Sequence, residues 1–303
     1  ANVDRYLKLA ERVIKEMRDD PNEQEWRADL IKLKMGRAYA ASGRHEEAQK
    51  LVQGIDPASV RAVDPVWAET AAARIDLLTE QQAQAELAHF DEQLTAMSLG
   101  EQATMLTSLA RLHRRFYGDE ELRTGVEARL LRRYDALPPG LQLAAMAELA
   151  EHAAAAQDLP NAQRVVDHMD EMFRQSPWRS EDGSPWIARL ARLESVVGRG
   201  EAARKRLDAA REQFAAQREQ IIDIYRCETL RPIGIAYHQL GEREIALEVL
   251  QQALAESVVN PNSRPRCDDL VETCVAMARA DVEPTAALWE RLREIRDGLN
   301  HPW

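Results

Sequence analysis

The sequence predicts an all-α fold built from stacked antiparallel helix pairs. Three observations carry that expectation. Aromatic residues make up 5% of the 303 residues, and Gly and Pro number only 13 each. Ala and Leu abound while β-branched runs are nearly absent, a composition that favours helix throughout. Apolar residues recur at i, i+4 and i+7, the spacing of one helical face. That pattern returns along the chain around Ala48, Ala83, Leu122, Ala162, Ala203 and Ala246, at intervals of 35, 39, 40, 41 and 43 residues.

The clearest unit runs from Cys227 to Asn260 through Leu230, Ile233, Gly234, Tyr237, Gly241, Ala246, Leu250 and Ala253. Gly234 is small where a second helix must come close, and Tyr237 is its bulky neighbour one turn on. Gly241 ends the first helix, since glycine takes the left-handed conformation without a Cβ penalty. Ala246, Leu250 and Ala253 then face back across the pair. This segment resembles a tetratricopeptide (TPR) repeat, a helix–turn–helix unit of about 34 residues. The resemblance implies a right-handed superhelical array of about fifteen helices, each pair stacked only on its neighbours. It further implies a binding platform whose first helices line an inner groove.

In chain order, Asn2 to Asp19 is an amphipathic helix with Tyr6, Leu9, Ala10, Val13, Ile14 and Met17 on one face. Ala10, Ile14 and Met17 repeat the pattern of Ala246, Leu250 and Ala253, so this helix reads as the second half of a repeat or as a cap. The first full pair spans Glu23 to Ile55 with Met35, Gly36, Tyr39, Gly43, Ala48 and Val52. A weaker unit begins at Asp64 with Trp67, Ala71, Ala83, Leu87 and Phe90. A fourth uses Leu106, Leu109, Ala110 and Val126, with Leu122 where the family has alanine and His113 where it has an aromatic. The fifth has Met146, Leu149, Ala150, Ala162, Val166 and Met169, and the sixth Ile187, Leu190, Ala191, Gly198, Ala203, Leu207 and Ala210. After the clearest unit, Asn260 to Arg266 reads as a loop, and Asp268–Ala280 with Pro284–Leu299 as a divergent closing pair. Pro284 suits a first helical turn. The whole chain, 1–303, reads as one array, with 1–20 as half-repeat or cap, 23–260 as six pairs and 261–303 as the closing pair.

Two stretches are irregular. Gln175 to Trp186 reads as a polar loop carrying Trp178 and Trp186, either as a binding contact or folded back over a repeat seam. Pro232 lies inside the first helix of the clearest unit. Either Thr229 caps a fresh helix, with Pro232 in its first turn, or a longer helix kinks.

Composition excludes several functions. The net charge of −11 and pI near 5.3 oppose a nucleic-acid partner, because that affinity comes mostly from neutralised phosphates. No apolar run approaches the ~18 residues of a membrane span, and no secretory leader is visible. Cys227, Cys267 and Cys274 show no metal-type spacing and read as buried free thiols in a reducing, cytoplasmic setting. The histidines (45, 89, 113, 152, 168, 238 and 301) form no i, i+4 pair for a metal. Gly198-Arg199-Gly200 sits at a helix–helix turn with no strand before it, so it is no nucleotide fingerprint. No cofactor, metal or catalytic residue is expected.

One pattern exceeds architecture. The positions that face the groove in the family carry Arg37, Arg111 and Arg192, and neighbouring groove positions carry Arg114, Arg115, Arg231, His238 and Gln239. Arginine's planar fork suits bidentate capture of carboxylates. These arginines either bind an acidic ligand or brace acids on adjacent helices. The family's carboxylate clamp requires asparagines that this chain lacks, so the expectation is a general acidic-ligand groove. The function that follows is a non-catalytic protein- or peptide-binding scaffold or adaptor, with self-association through the N-terminal helix. The rivals are a peptide-controlled regulatory module of a larger signalling protein, and, more distantly, an enzyme with a degenerate helical site.

Overall fold

The computed structural model describes residues 2–19, 25–41, 44–52, 80–81, 83–85, 87–88, 99–134 and 137–299. Among the described residues all regular structure is helical, with no strand. We number the helices α1 (Asn2–Asp19), α2 (Glu25–Ala41), α3 (His45–Val52), α4 (Leu99–Arg115), α5 (Glu120–Leu130), α6 (Pro139–Ala155), α7 (Leu159–Gln175), α8 (Ser180–Val196), α9 (Gly200–Gln217), α10 (Asp223–Gln239), α11 (Arg243–Ser257), α12 (Ser263–Arg279) and α13 (Ala286–Gly298). The chain divides into two compact units, Ala1–Ala145 and Met146–Trp303.

In the first unit α1 packs on α2 and α2 on α3, around Ile14, Ala28, Met35, Tyr39 and Ala48. The Tyr39 hydroxyl reaches Glu11 at 3.3 Å, and Arg44 lies over its ring. On α1, Leu9 and Val13 are exposed. Further on, α4 packs on α5. Asp119 caps α5 by accepting from the Leu122 amide at 2.9 Å, as short acids do at helix starts. His113 is buried and its Nε2 lies 3.0 Å from Glu127, itself buried. A fixed partner explains why a polar ring is tolerated there. Most of the third expected unit, and the Gly43 turn, lie outside the described residues; Ala83 and Leu87 are helical and buried.

The second unit follows one packing rule. Each of α8, α10 and α11 contacts both the next helix and the one after it. Turns are where the chain has residues that make them. Asp158 caps α7 with Pro160 in its first turn. Gly198 and Gly241 take φ of +84° and +85°, and the Glu242 amide then bonds back to the Tyr237 carbonyl at 3.0 Å, closing the α10 end. A Cβ on Gly234 would sit 2.9 Å from Leu250 Cγ, so α10 and α11 cross there at glycine distance. Around this crossing lie Leu207, Phe214, Cys227, Leu230, Ile233, Tyr237, Val249 and Ala253. Leu250, Leu254, Leu288, Leu292 and Ile295 form a second cluster towards α13.

Three boundaries depart from the sequence expectation, and at Pro232 the fresh-helix alternative is overturned. Gln175 to Trp186 is not a loop: α8 starts at Ser180, so Trp186 is helical and Pro185 sits inside the helix. The link is the short Ser176–Arg179 stretch, where Trp178 stacks on Phe173 at 5.4 Å and donates its Nε1–H to the Phe173 carbonyl at 2.9 Å. Pro232 lies within a continuous α10, and the Thr229 hydroxyl donates to the Tyr225 carbonyl one turn back, so Thr229 caps nothing. Asn260 to Arg266 is only partly a loop, because α12 begins at Ser263 and holds Pro265 in its first turn, where no amide is needed. Pro284 precedes the last helix, whose cap is Thr285 accepting from the Leu288 amide at 3.2 Å.

Candidate functional site

In the second unit, α8, α10 and α12 share one open cleft of about 370 Å³. From α8 come Pro185, Ala188, Arg189 and Arg192, a single stripe at helical spacing. From α10 come Glu228, Arg231, Pro232, Ile235, Ala236 and Gln239, and from α12 Ala276. Neither α9 nor α11 contributes to this lining. The floor is apolar and the rim carries three arginines against one carboxylate. Behind the cleft the Ser184 hydroxyl donates to the Thr229 carbonyl and ties α8 to α10.

The arginines are braced. Arg192 pairs with Glu151 of α6, and Arg189 reaches both Glu151 at 3.2 Å and Glu148 at 3.4 Å. Arg231 is different. Its Nη1 is buried and makes no hydrogen bond; the nearest acid is Asp269 of α12, with Oδ1 3.9 Å away. Asp269 is itself buried, and its Oδ2 also lacks a hydrogen-bond partner. Burial pushes the Asp269 carboxyl above the usual carboxylate range, and hydrogen bonding from Ser257, then the Arg231 charge, draws it part of the way back. Next to it, burial pushes the Cys227 thiol up to about 12, with Thr273 Oγ1 at 3.8 Å from its sulfur. A thiol so placed is protonated and unreactive at neutral pH.

Of the residues expected to line a groove, the structure brings Arg192, Arg231 and Gln239 to this cleft. His238 does not line it; its Nδ1 is buried without a hydrogen bond. Arg111, Arg114 and Arg115 share α4 in the first unit, where Arg111 is half-buried and the other two exposed. The Arg115 guanidinium lies over Phe116. The Arg37 side chain falls outside the described residues. Trp178 is half-buried against Phe173, and Trp186 is half-buried on α8 without lining the cleft. Sequence reasoning did not single out Arg189, Pro185, Glu228 or Asp269. Arg189 stands three residues before Arg192 on the same helix, at a position the family resemblance did not assign to the groove.

Among the described residues no three His, Cys, Asp or Glu side chains are grouped to hold a metal, and no helix is long and apolar enough to cross a membrane. The arrangement presents fixed guanidinium donors over an apolar floor, suited to anions with an apolar flank. No known family model, curated protein or solved structure matches the chain.

Proposed function

We propose that the chain is a tetratricopeptide-like solenoid and a non-catalytic scaffold that binds an acidic peptide segment in the cleft of α8, α10 and α12. The observation that carries this is the combination of Arg189, Arg192 and Arg231 around a floor of Pro185, Ala188, Pro232, Ile235, Ala236 and Ala276. In an array of this kind the first helices of successive pairs, here α8, α10 and α12, form the inner wall. Peptide carboxylates would take the arginine forks, and an apolar side chain would cover Pro232 and Ile235. Arg192 keeps donors to spare beyond its bond to Glu151, because a guanidinium carries five N–H groups. The cleft volume falls within the ~300–1,000 Å³ of ordinary ligand sites. Gln239 supplies a neutral donor and acceptor for the ligand main chain.

A fluorescein-labelled peptide of alternating glutamate and leucine tests the proposal by anisotropy. Binding should weaken as salt rises, because partly exposed charge pairs are screened. Arg192→Gln should weaken it by about 1.5–3 kcal/mol, the worth of a charge-assisted hydrogen bond, with little change in melting temperature. Equal binding of a lysine–leucine peptide, or an unaffected Arg192→Gln variant, would sink the proposal.

A further inference from the structure

We propose that Asp269 is a specificity-setting competitor for the cleft: it holds Arg231 away from weak anions and yields it only to a ligand carboxylate that replaces the contact. This rests on the acidic-peptide reading of the cleft.

Arg231 is the one cleft arginine that belongs to two environments. Part of its side chain lines the cleft, while Nη1 is buried and turned to Asp269. Arg189 and Arg192 instead meet their acids at hydrogen-bond or shorter range. The Arg231–Asp269 separation of 3.9 Å is near enough for attraction and too long for a hydrogen bond. Arg231 Nη1 and Asp269 Oδ2 are buried atoms of opposite charge that each lack a hydrogen bond, and such a pair is poised, since each gains from a partner that completes its bonding. A peptide carboxylate entering the cleft offers Arg231 the bond that Asp269 does not make. The ligand must therefore outcompete an internal acid, which favours a well-oriented, bidentate carboxylate over a passing anion.

The groups around Asp269 fit this role. Cys227, Glu228 and Arg231 come from α10, and the buried Ser257 from α11. Arg231 is the one cation among them. Glu228 lines the cleft, is exposed and repels the same ligands, so Asp269 and Glu228 act in the same direction. Losing Asp269's charge would leave Arg231 committed to the cleft.

The test is a four-protein cycle with the glutamate–leucine peptide at low salt: wild type, Asp269→Asn, Arg231→Gln and the double variant. Asparagine keeps the shape of the buried side chain and removes its charge, and thermal melts confirm that each protein is folded. Asp269→Asn should tighten binding about fivefold or more, the scale of ordinary coupling between sites. The gain should vanish when Arg231 is already glutamine. If Asp269→Asn binds the peptide no better than wild type, the competition is overturned. If it tightens binding equally in the Arg231→Gln background, Asp269 is a general repulsive charge and the competition is again overturned. If none of the four proteins binds, the acidic-peptide reading itself fails, a result distinct from either of the others. An unfolded Asp269→Asn is replaced by Asp269→Ser, read against the same outcomes.

Discussion

Gly234 has space for a hydrogen and little else. A Cβ there would meet Leu250 Cγ at 2.9 Å, Leu250 Cδ2 at 3.1 Å and the Ala246 carbonyl at 3.4 Å. An alanine asks Leu250 to shift by a few tenths of an ångström. A leucine asks the two helices to part. Gly234→Leu should cost about 1–3 kcal/mol by overpacking, read as a lower denaturant midpoint; an unchanged midpoint would show that the α10–α11 crossing lies elsewhere. Asp269 behaves in the opposite way. Its carboxyl is raised in the folded chain by burial, so the folded protein holds that proton more tightly than the unfolded one. Stability from this group is absent at neutral pH, grows as pH falls through the folded value, and is complete below the unfolded value of about 3.9. Asp269→Asn should therefore melt above wild type at pH 7.5, and the gap should close on acidification towards pH 4. A gap independent of pH would remove the buried carboxylate as its cause.

At the scale of helices, legibility followed whether a residue's local and tertiary preferences agree. The α10–α11 pair could be read from sequence because Gly234, Tyr237, Gly241, Ala246 and Leu250 each do one job, packing or turning, at its expected spacing. The start of α8 could not. Gly183, Ser184 and Pro185 are turn formers by local chemistry, yet they sit in helix because their neighbours require them. A Cβ on Gly183 would lie 3.1 Å from Trp178 Cβ, and Ser184 bonds the Thr229 carbonyl. In the cleft, Arg192, Arg231 and Gln239 were expected as groove positions implied by the family resemblance. Asp269 was not, because its meeting with Arg231 depends on α10 packing directly on α12, two elements along. Trp178 also changes meaning in the structure. It stacks on Phe173 and bonds its carbonyl, so it fastens the α7–α8 link. Trp178→Ala should destabilise by about 2 kcal/mol, less than the ~3–5 of a core aromatic because the ring is only half-buried. Peptide affinity should be unchanged; a variant with native stability and lost binding would restore it as a ligand contact.

At the scale of the molecule, the second unit has a gradient built into its packing. Helix α10 contacts α8, α9, α11 and α12, whereas α13 packs principally on α11 and α12 alone. Burial follows the same order. Cys227, Leu230, Ile233, Ala236 and Tyr237 of α10 are all at most 2% exposed, while α13 keeps three buried side chains and leaves Trp289 47% exposed. Regions with few buried contacts open at lower free energy than the rest of a structure. Amide hydrogen exchange under native conditions should therefore show the greatest protection in α10 and α11 and a fall through α12 to α13. Peptide bound in the cleft should raise protection in α8, α10 and α12 more than in α9 and α11, since only the first three line it. Uniform protection across Met146–Trp303, with all its helices opening in one step, would mean that the unit unfolds as a single cooperative body and that stacking does not govern it.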